Sequence, residues 1–160
     1  MELLSRLNDR INSAITLVVI VFVLVMTLIV GYQVFRRYVM NASLIWSAEA
    51  ARYLLVWITF LGSSVALRKG GHINITAVVD LFSTRPRAFR IISLAAYAVV
   101  AVTLLVIIGF GIRFGLTNMD QLSPALRIPI GIVYFCIPIG SSLMVLQIAE
   151  RIWGTIKELK

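Results

Sequence analysis

RRYVMNASLIWSAEAARYLLVWITFLGSSVALRKGGHINI, residues 36–75, is the stretch on which the fold turns. Its centre is a hydrophobic helix with an acid, Glu49, and a base, Arg52, within one turn of each other. The uncharged part, residues 53–67, holds 15 positions, or roughly 22 Å of helix at ~1.5 Å per residue. A bilayer core is about 30 Å thick, so that run alone does not cross it. If the segment spans, Glu49 and Arg52 lie within or at the edge of the hydrocarbon. An ionisable residue at the bilayer centre costs roughly 2.5–3.5 kcal/mol, which obliges it to find a partner, a route to the headgroups or a function.

On the N-terminal side, residues 11–35 form an uncharged run of 25. That is too long for a signal-peptide core of about 7–15 residues, and it ends in Arg36 and Arg37 rather than a small-residue cleavage site. It reads as a retained transmembrane helix. Residues 1–12 place Leu3, Leu4, Leu7 and Ile11 on one face, which predicts a short interfacial helix feeding into the membrane. The second span is expected over 44–67. At 100° per residue Trp46, Tyr53, Trp57 and Ser64 share a narrow sector, with Glu49 beside it and Arg52 about 60° further round.

Gly70 and Gly71 stop that helix. Ile75, Val78, Val79 and Phe82 then recur at i, i+3, i+4 and i+7, so residues 72–82 are expected as a surface amphipathic helix, too short to span. Two further uncharged runs of 22 residues, 91–112 and 128–149, supply the third and fourth spans. Gly111 and Gly115 form a close-packing pattern, but Arg113 between them at the helix exit argues against a helix contact. Pro138 lies inside the fourth span and should kink it. Ile-Pro-Ile-Gly occurs at 128–131 and again at 137–140, too short to be a domain repeat.

Hydrophobic residues make up 60% of 160 positions and charged ones 14%, against about 25% charged in soluble domains. The chain is therefore expected to be a single all-α integral membrane domain, 1–160, of four transmembrane helices plus short interfacial amphipathic helices. The formal charge of +8 fits headgroup contact better than nucleic acid, because the bases sit at the ends of apolar runs. With the N-terminus inside, ten bases fall on inner segments and four on outer links, Arg36, Arg37, Arg113 and Arg127. That ratio predicts both termini in the cytoplasm. One cysteine, Cys136, and one histidine, His72, leave no disulfide, no bis-histidine haem and no convincing metal site. No catalytic constellation is visible, so no enzyme, cofactor, metal or substrate site is expected.

Glu49 and Arg52 are the sharpest candidates for function. They can pair with each other at i, i+3, bind a partner protein, or form the ion site of a small transporter. Arg52 can also snorkel to the interface with no function attached. Trp46, Tyr53 and Trp57 complete the candidate structural or partner-contact set, and Arg36, Arg37, Arg68 and His72 are expected at the interface.

The residues Arg37-Tyr38, then SLIWSAEAARYLLVWITFLG (43–62), Arg68 with HINI (72–75), SPALRIPIG (123–131), Tyr134 and PIG (138–140) resemble the small membrane subunit of tripartite ATP-independent periplasmic (TRAP) transporters, the DctQ-like family. The W-x-x-E-x-x-R-Y block is the most specific part. The resemblance implies a bacterial inner-membrane accessory subunit that packs as scaffold against a large, usually sodium-coupled permease subunit. A periplasmic binding protein would deliver the organic acid, and uptake would need no ATP. A stand-alone four-helix transporter or channel acting as a homo-oligomer is the rival expectation.

Overall fold

The computed structural model describes residues 2–68 and 86–157. The surface helix expected at 72–82, with His72, lies outside them. Five helices follow in order: α1 Glu2–Val39, α2 Ile45–Arg68, α3 Pro86–Thr117, α4 Ile130–Tyr134 and α5 Cys136–Lys157. No strand occurs among the described residues, and α1, α2, α3 and the α4–α5 pair are four segments long and apolar enough to cross a membrane. The protein is an all-α integral membrane protein.

Helix α1 has 38 residues, about 57 Å at ~1.5 Å per residue, nearly twice the hydrocarbon thickness. Residues 2–12 are its first turns, continuous with the span rather than a separate element. It also carries Arg36 and Arg37 in its last turn and ends at Val39, two residues before Asn41. Asn41 has φ 49° and turns the chain back, so that the Ala42 N–H donates to the Arg36 carbonyl at 3.1 Å. Asparagine accepts this left-handed conformation more readily than most residues.

The extensive helix contacts run α1–α2, α2–α5 and α5–α3. The extensive contacts therefore follow one another as a row, α1, α2, α5, α3, with α2 and α5 in the middle. A buried cluster of Leu67, Leu104, Met144 and Ile148, flanked by Phe60 and Tyr97, joins α2, α3 and α5. Among the described residues none of this cluster comes from α1, and no residue of the most apolar stretch of α1 is buried.

In a bilayer apolar side chains gain little by leaving lipid for protein, so helices associate through close packing and polar ties. Glycine supplies the close packing here. A Cβ on Gly140 would lie 2.7 Å from the Phe60 Cβ, which marks where α5 presses on the backbone of α2. A Cβ on Gly131 would lie 2.3 Å from the Gly115 carbonyl oxygen of α3. Both copies of Ile-Pro-Ile-Gly thus end on a glycine at a close approach, each to a different helix.

Gly111 and Gly115 are buried against Ile137, Pro138 and Phe135. The expectation that Arg113 would prevent this contact is corrected. Two residues on from Gly111 is a rotation of about 200°, which turns Arg113 outward, and it is exposed. Pro138 has no N–H for the Tyr134 carbonyl, and the helix is interrupted at Phe135, between α4 and α5. Phe135 keeps a helical φ of −63°, so the interruption is a local break in the hydrogen-bond ladder rather than a corner.

Candidate functional site

Two polar centres sit near the ends of α2. Between Glu49 and Arg68 lie about 28 Å of helix, close to the thickness of a hydrocarbon core. Both charges can thus lie at membrane boundaries while the apolar turns between them cross.

At the Glu49 end, the residues after α3 fold into a tight loop. The Ser123 N–H donates to the Ile128 carbonyl at 2.9 Å, and the Ile130 N–H donates to the Gln121 carbonyl at 2.8 Å. Ser123 is fully buried, and its hydroxyl accepts from the Ile128 N–H at 3.3 Å. Arg127 closes the turn in a left-handed conformation, φ 55°. Glu49 is 9% exposed and reaches this loop from α2. Its carboxylate accepts the Ala125 N–H at 2.8 Å and the Tyr53 hydroxyl at 2.7 Å. A buried carboxylate is tolerated when such donors surround it. The acid is a latch between α2 and the α3–α4 loop.

Tyr53 and Trp57 are half-buried on this side of α2, and Trp46, at its first turn, is 39% exposed. Arg52 is exposed, and among the described residues no ion pair joins it to Glu49. The structure therefore separates two residues that the sequence places on the same turn. Arg37 lies over the ring of its neighbour Tyr38 at 5.9 Å, and Arg36 is half-buried.

At the other end, Arg68 bridges three helices. It pairs with Asp9 of α1 at 2.7 Å and with Glu150 of α5. Arg151 donates to the Leu67 carbonyl at 2.5 Å, satisfying one of the acceptors that every helix C-terminus leaves open. Neither Asp9 nor Glu150 stands out in the sequence, because each meets Arg68 only through tertiary packing. Asp9 and Glu150 are partly exposed, 66% and 36%, so each pair contributes modestly. Arg68→Ala is expected to lower stability by about 1 kcal/mol, and by less in high salt. Thermal unfolding of the detergent-solubilised protein at two salt concentrations measures both effects.

Between the two centres, the Gln147 amide donates to the Ser64 hydroxyl at 3.3 Å, a buried tie between α5 and α2. A groove of about 380 Å³ is lined by Phe110, Arg113, Phe114, Thr117 and Asn118. These residues follow one another on a single face of α3 and the turn after it, so the groove is a surface furrow that does not enclose a ligand. Among the described residues no group of three or more His, Cys, Asp or Glu side chains could hold a metal ion. The arrangement is chemically suited to holding helices and a loop together.

Comparison with known proteins agrees with this architecture. Residues 26–158 match the family model described as tripartite ATP-independent periplasmic transporters, DctQ component. The chain is 23% identical over 156 residues to the sialic acid TRAP transporter small permease protein SiaQ of Vibrio cholerae, covering 98% of this chain and 89% of that one. It is 27% identical over 146 residues to a putative TRAP transporter small permease protein of Haemophilus influenzae, covering 91% and 89%. A third relative is the isethionate TRAP transporter permease protein DctMQ of Oleidesulfovibrio alaskensis. There the identity is 27% over 139 residues, covering 81% of this chain but 21% of the relative.

Proposed function

Because the chain belongs to the DctQ family of TRAP transporter components, we propose that it is the scaffold subunit of a three-part uptake system. Its partner is a large ion-coupled permease subunit, usually sodium-driven, and a periplasmic binding protein supplies the organic acid. The subunit itself is not an enzyme and binds no cargo. It resides in the bacterial inner membrane, and the distribution of bases, ten against four, supports both termini in the cytoplasm.

The observation that carries this reading is the state of Glu49. It is the buried acid of α2, and its oxygens already accept from Tyr53 and Ala125. The Gln147 amide nitrogen likewise donates to the Ser64 hydroxyl, although the Gln147 side-chain oxygen and the Ser141 hydroxyl are buried with no hydrogen-bond partner among the described residues. Transporter sites arise from broken helices with converging polar groups, whereas the break at Phe135 receives the glycine face of α3. Glu49, Arg52, Trp46, Tyr53 and Trp57 then serve to order this end of the row and its contact with the large subunit. A large partner also suits the isethionate relative, in which the matching region is about a fifth of one longer permease chain.

Reconstitution in vesicles tests the proposal. The purified chain alone is expected to move no organic acid, and uptake is expected only when the large subunit, the binding protein and an ion gradient are all present. Flux through the chain alone would establish the rival, a self-sufficient transporter.

A further inference from the structure

The outward face of α3 changes character along its length in a fixed order. At 100° per residue, Val99, Val102, Val106, Phe110, Arg113 and Thr117 fall within a sector of about 100°, and each is exposed. Leu104, Gly111 and Gly115, on the opposite side, are buried against the other helices. From Val99 to Phe110 the strip is apolar and about 16 Å long at ~1.5 Å per residue, half of a hydrocarbon core of about 30 Å. Gly109 is a notch in the strip, where a Cβ would meet nothing within 4 Å. Beyond it, at the Glu49 end, lies the furrow of about 380 Å³ formed by Phe110, Arg113, Phe114, Thr117 and Asn118.

The polar groups of the furrow are not equally free. The Thr117 hydroxyl donates to the Arg113 carbonyl at 2.9 Å, and the Asn118 amide donates to the Phe114 carbonyl at 2.7 Å, so both serve α3 itself. The Arg113 guanidinium offers five N–H donors, and among the described residues no carboxylate pairs with it. An exposed arginine and an open glycine also occur on α2, at Arg52 and Gly62, so neither feature alone selects an occupant. What distinguishes α3 is the order: an apolar strip one leaflet deep, two aromatic side chains, then a cation in a furrow. Arg113 lies about one turn from the end of α3, as Glu49 lies about one turn from the start of α2. That places it at the edge of the hydrocarbon, where a long basic side chain reaches the phosphates.

We propose that this furrow seats the headgroup of one glycerophospholipid, with its phosphodiester on Arg113 and an acyl chain lying along Phe110, Gly109, Val106 and Val102. The inference goes beyond the small-subunit reading and does not depend on it. The phosphodiester carries the charge that complements the guanidinium, and the strip has the length of one tail region. A free inorganic anion would use the cation and leave the strip idle. A partner helix would have to bring its own acid to this depth, whereas every bilayer holds phosphate there. The furrow is open along the membrane plane, which suits an amphiphile entering sideways.

The purified chain is stripped of lipid in mild detergent and titrated by native mass spectrometry with phosphatidylglycerol, with diacylglycerol of the same tails and with inorganic phosphate. Phosphatidylglycerol is expected to bind at least about tenfold more tightly than diacylglycerol, as a charge-assisted contact requires, and inorganic phosphate is expected not to displace it. Arg113→Gln should erase the difference and Arg113→Lys should keep most of it, both melting with the wild type because the side chain is exposed. Arg37→Gln, whose guanidinium lies over Tyr38, should retain the wild-type preference. Equal affinity for the two lipids, an equal loss in Arg37→Gln, or displacement by inorganic phosphate would overturn the assignment. Benzoylphenylalanine at Val106, in cells that also express the large subunit, is expected to yield lipid adducts. Cross-links there to a protein would give the face to a helix instead.

Discussion

Adding one methyl group at Gly131 is expected to destabilise the protein by about 1–3 kcal/mol, the usual range for overpacking a tight contact. The new Cβ would lie 2.3 Å from the Gly115 carbonyl oxygen and 2.9 Å from the Met119 sulfur. Met119 can swing aside, but the carbonyl belongs to the backbone of α3 and cannot yield without moving the helix. The Gly131 N–H also donates to the Asn118 carbonyl at 3.0 Å, so a shift at this point disturbs the loop as well. Gly62→Ala is the control. It meets no atom within 4 Å and is expected to leave the isolated chain unchanged or to raise its stability by up to about 1 kcal/mol through helix propensity. Melting temperatures of the three detergent-solubilised proteins decide the matter, and equal values for Gly131→Ala and wild type would contradict the packing described above.

Glu49→Ala is expected to release the loop between α3 and α4. The part-buried Ala125 N–H loses its acceptor, and a partly buried donor left without a partner is destabilising. Hydrogen exchange at residues 123–128 should accelerate strongly, while the Leu67–Ile148 contact region keeps its protection. Glu49→Gln retains one carbonyl acceptor, so its effect should be smaller, and Tyr53→Phe, which removes one donor from the carboxylate, smaller still. The graded order Ala, Gln, Phe is the signature of a latch. A charge-only role would make Gln as damaging as Ala.

These two experiments also separate what lipid solvent makes cheap from what it makes costly. Most of the exposed surface is interchangeable aliphatic side chain, and a substitution such as Val102→Leu should pass unnoticed. The small number of glycine approaches and buried polar ties are where the row of helices is held.

Much was legible from residues in their order. The apolar runs, interrupted by bases, state that the chain crosses a membrane four times, because 20 or so apolar residues have no better environment. The helical wheel of α2 places Trp46, Tyr53, Trp57 and Ser64 in one sector with Arg52 outside it, since a regular helix converts spacing directly into direction. The break near Pro138 follows from a missing N–H. None of these required a neighbouring element.

Tertiary structure alone decided what each face meets. Ala125 lies 76 positions from Glu49, and nothing local to either announces the other. Asp9 and Glu150 became partners of Arg68 only once α1 and α5 stood on either side of α2, and Gly111 proved to be a contact because Arg113 points the other way. The physical reason is common to all of these. Periodicity records which side chains share a surface, but one apolar helix face looks much like another to a neighbouring helix or to lipid, so the order α1, α2, α5, α3 is set by where backbone can approach backbone and where a buried polar group finds its counterpart.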